Sequence, residues 1–204
     1  MFLSLNPSNP DSRDINTIVD VLNKGGIIIY PTDTVYSLGC SLINKKGIAA
    51  LAKIKELKLR QANFAIICSD LSNLSDYTAS IDRPTYKILN RNLPGAFTFI
   101  LRSNPKISKY FDSKKKTIGI RIPDNKIIQD IVEALGHPLV TTSIHNEDEI
   151  LEYSTDPFQI NENWSDKVDI IIDGGYGNNV ASTVVDLTNS EPEIIRQGIG
   201  ELDY

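Results

Sequence analysis

The segment GGIIIYPTDTVY, residues 25–36, runs from an apolar stretch directly into a hydroxyl-rich turn. Four apolar or aromatic residues bounded by Gly-Gly and Pro31 are typical of a strand buried on both faces. Thr32, Asp33 and Thr34 then place three short polar side chains just beyond the carboxyl end of that strand. Ligands bind at this edge in open α/β sheets, so the segment predicts both a core strand and a binding edge.

The composition limits the class of protein. A chain of 204 residues with 41% hydrophobic and 23% charged residues is ordinary for a globular protein, and we predict a single domain over residues 1–204. No apolar run approaches the roughly 20 residues that span a bilayer, and the start of the chain lacks the pattern of a secretory signal. Cys40 and Cys68 lie far apart, which argues against a disulfide framework and favours core packing. We therefore expect a cytoplasmic protein with no membrane partner.

The charge distribution bears on nucleic-acid and metal binding. The net charge of −5 argues against a broad nucleic-acid surface, because counterion release requires a coherent cationic face. Basic residues do cluster between Lys45 and Arg60 and again at residues 114–116, although such runs are more often solvated helix faces or charged loops. His137 and His145 have no metal-ligating partners at suitable spacing, so we expect no metal site.

Helical and extended periods alternate along the chain. Apolar spacing and end signals predict helices at about residues 12–24, 44–57, 82–93, 124–135 and 156–164. Strands are predicted at residues 2–5, 27–30, 63–68, 97–101, 117–122, 138–142, 168–173, 182–187 and 193–196. Helix-separated strands early in the chain and short connections late in it predict a mixed, partly parallel α/β (α+β) sheet. The polar stretch 146–155 is interpreted as a flap or a surface connection.

The predicted strand TIGIRI, residues 117–122, has two different faces. Its period of two puts the isoleucines on one face and Thr117, Gly119 and Arg121 on the other. Gly119 leaves space against the backbone, and the planar fork of Arg121 suits a carboxylate or a phosphate. The alternative is an edge strand whose outer face is merely solvated.

Hydroxyl groups also mark the ends of other predicted strands. One strand ends in Thr142 and Ser143, and another begins with Ser182. Hydroxyls and the backbone amides after them bind phosphate or amino-acid groups, although each pair alone is more typical of a cap or a turn. The last predicted strand ends in a second cation, Arg196. Together these strand ends predict one polar cleft at one edge of the sheet.

The motifs taken together resemble the YrdC/YciO family. The matching stretches cover nearly the whole chain in the family's order: YPTDTVY at 30–36, KIK at 53–55, LPG at 93–95, TIGIRIP at 117–123, TS at 142–143, STV at 182–184 and IRQG at 195–198. The resemblance implies a YrdC-like twisted mixed parallel and antiparallel sheet with flanking helices and a deep concave cationic cleft. The family's characterised members are threonylcarbamoyl-AMP synthases, which supply the intermediate for threonylcarbamoyladenosine in tRNA.

The resemblance also implies a reaction and a set of site residues. A nucleotidyltransferase of this type joins threonine, bicarbonate and ATP into threonylcarbamoyl-AMP and releases pyrophosphate. ATP with Mg²⁺ would enter as a substrate, and no prosthetic group is expected. By position, Lys53 and Lys55 would act on the phosphates as the catalytic basic pair; Thr32, Thr34, Arg121 and Ser182 would bind the amino acid; and Thr117, Thr142, Ser143 and Arg196 would bind the nucleotide.

Three positions depart from the synthase pattern, and the chain resembles the YciO branch more. Lys55 stands where the synthases carry Arg, Gln61 where a Lys-Pro pair is usual, and His145 where they carry Asn. A Lys point charge lacks the bidentate geometry of an Arg fork, and a histidine replaces a fixed amide with a titratable ring. These departures keep an alternative open: a non-catalytic double-stranded RNA-binding or ribosome-associated translation factor that binds tRNA or rRNA through the same cleft.

Overall fold

Ten strands of the described chain form one hydrogen-bonded sheet in the computed structural model of the protein. The structure describes residues 1–59, 62–111, 116–144, 155–189 and 191–204. The strands are β1 (Phe2–Ser4), β2 (Ile28–Tyr30), β3 (Ser37–Ser41), β4 (Ala65–Ile67), β5 (Phe97–Arg102), β6 (Thr117–Arg121), β7 (Leu139–Ser143), β8 (Ile170–Asp173), β9 (Thr183–Asp186) and β10 (Glu193–Arg196). The helices are α1 (Ser12–Asn23), α2 (Lys45–Ile54), α3 (Arg83–Asn92), α4 (Ser108–Phe111), α5 (Lys126–Leu135) and α6 (Pro157–Trp164), with 3₁₀ turns at Leu74–Asp76 and Pro105–Ile107.

The strand order is β1-β8-β2-β3-β7-β4-β6-β5-β9-β10, and neighbours run in both directions. The pairs β1/β8, β8/β2, β4/β6 and β5/β9 are parallel, whereas β2/β3, β3/β7, β7/β4, β6/β5 and β9/β10 are antiparallel. Because helices pack on both faces, this mixed sheet confirms the predicted fold class. The sequence patterns gave no bounds for β3, since its SLGCS stretch alternates only two apolar side chains around a glycine.

Helices α1 and α5 cover part of one face. Their buried residues share a core with β2, β4, β7 and β8. The sequence specifies α5 at both ends: the Asn125 side chain accepts from the Ile128 backbone N, and Gly136 ends the helix at φ 74°. That left-handed conformation favours glycine, as the stop signal predicts. No helix in the described ranges is long and apolar enough to cross a membrane.

The opposite face carries the larger core, on which α2, α3, α4 and α6 pack. Ile118 and Ile120 of β6 point into this core, which confirms the predicted face of isoleucines. Cys40 and Cys68 are free thiols within the same core, in agreement with the packing role expected for them.

The sheet face that α1 and α5 cover extends past these helices to β5, β6 and β9. The core beneath those two helices contains no described residue of β5, β6 or β9. We call this continuation the open face and define it by Gly119 and by the side chains of Thr98, Thr117, Arg121 and Ser182. Thr98 and Gly119 are only half-buried there. The fold therefore leaves the polar face of β6 uncovered by these helices.

The packing of α5 predicts a large stability loss on truncation of its buried stripe. Ile131 is fully buried, so Ile131→Ala should lower the free energy of unfolding by about 2–5 kcal/mol. Glu133→Ala, an exposed change in the same helix, should stay within about 0.5 kcal/mol of the parent. Urea unfolding followed by circular dichroism measures both. Equal losses in the two variants would contradict the packing of α5 on the sheet.

Candidate functional site

The segment after β2 folds into a turn that its own hydroxyl groups hold together. Thr32 Oγ1 donates to Val35 O at 2.8 Å and accepts from Thr34 N at 3.0 Å. The two threonine hydroxyls lie 3.0 Å apart, and both side chains are buried. The predicted hydroxyl-rich turn is thus a rigid structure whose side chains first stabilise the turn itself.

Arg121 ends β6 and reaches this turn. Its Nη2 donates to Thr34 Oγ1 at 3.1 Å and to Asp33 Oδ1 at 3.3 Å. The second oxygen of Asp33 accepts from the backbone N of Asp124 at 3.0 Å, just ahead of α5. Arg121 is only 6% exposed, and its Nε is buried with no hydrogen-bond partner in the described chain. An unpaired buried donor costs about 1–3 kcal/mol, so the folded protein leaves this guanidinium incompletely compensated.

Burial and charge pairing act against each other in this ion pair. Burial raises the pKa of Asp33, and the positive charge of Arg121 opposes that rise. Burial likewise lowers the pKa of Arg121; the Asp33 charge opposes this effect, whereas the positive charge of Arg196 adds to it. A guanidinium stays protonated in proteins even so. The site therefore retains a buried positive charge with a second cation near it.

That second cation comes from β10. Arg196 Nη2 and Nε donate to Ser182 O at 2.9 and 3.3 Å. The Ser182 hydroxyl lies 2.9 Å from Thr98 Oγ1 on the neighbouring strand. The structure thus brings Arg121, Ser182 and Arg196 to the end of the open face that faces Thr34. Two arginines beside one carboxylate leave an excess of positive charge, which favours an anionic ligand.

The predicted lysine pair is separated. Lys55 follows α2 and is buried, and its Nζ donates to Ser143 O at 3.1 Å. Lys53 lies two positions earlier and is exposed, because residues two apart on a helix do not face the same side. Thr142 and Ser143 are half-buried and, as neighbours in β7, point to opposite faces of the sheet. Ser143 and Thr142 therefore cannot serve one ligand side by side.

Thr117 lies away from the arginines. It begins β6, is exposed, and pairs with Arg102 of β5. Four residues of strand, about 13 Å, separate it from Arg121. Between them, a Cβ at Gly119 would lie 3.0 Å from Ala65 Cβ, so small neighbouring side chains bound the space that the sequence predicts there. Thr117 can meet only a ligand that extends along the open face.

Several predictions fall outside the residues that the structure describes. They concern Arg60, Gln61, His145, the basic residues 114 and 115, and the polar stretch 146–154. Among the described residues, no group of three potential metal ligands occurs.

A polar pocket opens beside the turn. It has a volume of 490 Å³ and is lined by Thr32, Asp33, Thr155 and residues 176–179. The loop after β8 is held to the turn, since Tyr36 Oη donates to Gly175 O at 2.7 Å and Asn178 N donates to Thr34 O at 3.0 Å. The sequence analysis did not predict residues 176–179 as site residues. The available signal was the Gly-Gly turn directly after a buried strand that neighbours β2.

Comparisons with known proteins show which family this fold and site belong to. Residues 20–198 match the model of the Sua5/YciO/YrdC family, which is described as telomere recombination. An uncharacterized protein of Haemophilus influenzae is 42% identical over 200 residues, which are 98% of this chain and 96% of that protein. The crystal structure of E. coli YciO is 38% identical and has a TM-score of 0.88 over 98% of this chain and 97% of that one. The chain belongs to the Sua5/YciO/YrdC family, as the resemblance indicated.

A more distant structure shares the fold and contains a ligand. P. abyssi Sua5 complexed with L-threonine has a TM-score of 0.84 at 22% identity, over 97% of this chain and 57% of that one. The E. coli YciO protein is itself described as uncharacterized. At 22% identity, the likeness to Sua5 shows the fold of this chain.

Removing one member of the Asp33–Arg121 pair should destabilise the protein more than removing both members. Asp33→Ala leaves a buried guanidinium without its carboxylate, which costs about 3–5 kcal/mol in comparable cases. The double variant Asp33→Ala/Arg121→Met also removes the charge and should regain part of that loss. Asp124→Ala, whose side chain is exposed and whose backbone N is retained, should unfold like the parent. Urea unfolding in which Asp33→Ala matches the parent would contradict this account of the pair.

Proposed function

We propose that the protein binds ATP and L-threonine and joins them, with bicarbonate, into threonylcarbamoyl-AMP. The observation that carries the proposal is the arginine pair at one end of the open face. Arg121 is buried with an unpartnered Nε, and Arg196 is close enough to shift its pKa. Family membership and the likeness in fold to a Sua5 structure complexed with L-threonine support the choice of ligand.

The reaction requires an amino acid to be held beside a polyanion. The amine of threonine attacks the carbon of bicarbonate, and loss of water gives a carbamate. A carbamate oxygen then attacks the α-phosphorus of ATP, the bond to the β-phosphate oxygen breaks, and pyrophosphate leaves. Bicarbonate, ATP and the carboxylate of threonine are all anionic. The protein therefore contributes positioning and charge stabilisation rather than a covalent intermediate.

The arginines fit the two anionic groups of this reaction. Arg121 would bind the carboxylate of threonine through its guanidinium, whose planar fork matches a carboxylate. Thr34, which already accepts from Nη2, would keep that fork in place, and Thr32 would hold the turn. Ser182 would contact the amino acid, and the exposed Arg196 would bind the α-phosphate at which charge develops.

The remaining residues would act along the nucleotide. Thr117 stands at the far end of the open face, so it would contact the part of ATP most distant from the arginines. Lys55 Nζ donates to the backbone oxygen of Ser143, so Lys55 would contribute a positive charge and Ser143 a hydroxyl at the same end of β7. Lys53 is exposed and would attract the phosphates from solution. Magnesium would enter on the phosphates of ATP.

Pyrophosphate release tests the proposal directly. Purified protein given ATP, L-threonine and bicarbonate should release pyrophosphate, and omission of threonine should stop it. Arg196→Ala should lower the rate about 100-fold, because loss of one charge-stabilising donor costs about 10²–10³-fold. Arg13→Ala, an exposed arginine of α1 paired with Asp11, should keep the parent rate. No release, or release without threonine, would reject the proposal.

A second candidate, RNA binding without catalysis, is favoured by the exposed lysines of α2. Lys45, Lys46 and Lys53 are all exposed on that helix. If they bind RNA phosphates, the triple change to alanine should reduce the slope of log affinity against log salt by about one unit per lysine. Filter binding of a double-stranded RNA over a salt series measures this slope. Undiminished binding by the triple variant would reject the candidate.

A further inference from the structure

The strand that carries Arg196 is exposed along its whole length. β10 lies at one edge of the sheet, all four of its residues are exposed, and a bulge interrupts its pairing with β9. Burial and the nearby positive charge of Arg196 both lower the pKa of Arg121, so the two guanidinium groups repel each other. This repulsion and side-chain entropy both favour an Arg196 that extends into solvent. Its observed position over Ser182 therefore requires a further constraint.

The segment directly after β10 supplies that constraint. We call residues 197–203 the clasp. Thr183 Oγ1 donates to Gly200 O at 2.6 Å and accepts from Gly198 N at 3.0 Å. It also accepts from Gln197 Nε2 at 3.4 Å. A hydroxyl group offers one donor and two acceptor positions, so this fully buried threonine uses all three of them on the clasp.

The clasp packs directly against the chain at the start of β9. Ile199 N donates to Ala181 O at 3.0 Å. A Cβ at Gly198 would lie only 2.2 Å from the same oxygen, and a Cβ at Gly200 would lie 2.5 Å from the Phe97 ring. Only glycine permits such close approaches at both positions. The backbone two residues after Arg196 is therefore fixed against β9.

The far end of the clasp is anchored as well. Asn92, which is buried at the end of α3, donates from Nδ2 to Asp203 O at 2.7 Å and accepts at Oδ1 from Asp203 N at 2.9 Å. Leu202 packs against the larger core. Both ends of the clasp are thus held by groups of the protein itself.

We propose that the clasp positions Arg196 and that Thr183 is the positioning residue through which it acts. Thr183 directly follows Ser182, so its hydroxyl holds the clasp beside the carbonyl that Arg196 contacts. The clasp keeps the guanidinium over that carbonyl and close to Arg121. A side chain that is already ordered lowers the cost of binding an anion. The inference rests on the proposed function for the identity of the anion, the α-phosphate of ATP.

Nitrogen-15 spectra of the arginine side chains in the full chain test the clasp without turnover. Thr183→Val keeps the shape of the residue and removes the hydroxyl. It should shift the Arg196 Nε–H resonance and speed its exchange with solvent about fivefold, and Thr183→Ser should restore both. The matched control is Thr78→Val, which also removes a buried hydroxyl that donates to a backbone oxygen, Leu74 O at 2.8 Å. An unchanged Arg196 resonance in Thr183→Val, or an equal change in Thr78→Val, would overturn the proposal.

Gln197→Ala decides the question if Thr183→Val does not fold. Gln197 is exposed, and its Nε2 donates to Gly200 O at 2.8 Å. Its removal should shift the Arg196 resonance in the same direction and speed exchange about twofold, since part of the clasp stays bonded. Gln159→Ala, an exposed glutamine of α6, should leave the resonance unchanged. In that case, an Arg196 resonance that is the same in Gln197→Ala and the parent would overturn the proposal.

Pyrophosphate release tests whether the clasp acts through Arg196. Thr183→Val should lower kcat about tenfold and keep the KM for L-threonine within about twofold of the parent, because Arg196 acts where charge develops on the phosphate. The double variant Thr183→Val/Arg196→Ala should lose no more than Arg196→Ala alone. Additive losses, or full activity in Thr183→Val, would overturn the proposal. A parent that releases no pyrophosphate, but whose Arg196 resonance changes as expected, would reject the proposed function and keep the role of the clasp.

Discussion

The buried positive charge of Arg121 is the constraint on which the site depends. Removing a guanidinium from water costs several kcal/mol unless charges and hydrogen bonds replace its hydration. Asp33 and Thr34 supply part of that replacement from the turn after β2. Because Asp33 also accepts from Asp124 N, one carboxylate joins the turn, the end of β6 and the start of α5. Three segments far apart in sequence are thereby fixed around a single cation.

The positive charge of Arg121 is only partly compensated, which makes this end of the open face favourable for anions. Nε of Arg121 is buried without a partner, and Arg196 adds a second positive charge nearby. A protein selected only for stability would avoid both features, and perturbed charges of this kind are concentrated at functional sites. An anionic ligand would offset the positive charges of both arginines. Binding would therefore gain free energy where the folded protein leaves charge uncompensated.

The sequence predicted the parts of the fold that local patterns specify. The isoleucines at 118 and 120, the apolar stripe of α5 and the Gly136 stop all correspond to observed structure. The Asp33–Arg121 pair joins residues 88 apart, and no local pattern reveals such a partner. The separation of Lys53 from Lys55 follows from helix geometry, although the family motif presents them as a pair. Residues 176–179 were missed as pocket residues because their position depends on the hydrogen bonds from the loop to the turn.

The nitrogen-15 resonance of Arg121 Nε tests the central claim most directly. A spectrum selective for arginine side chains, assigned through Arg121→Lys, reports whether a ligand changes the surroundings of this guanidinium. Titration with L-threonine should shift the Arg121 Nε–H resonance and slow its exchange with solvent, while the exposed Arg13 stays unchanged. A resonance that does not respond while threonine binds elsewhere on the protein would contradict the account, because the buried charge would then have no part in recognising the ligand.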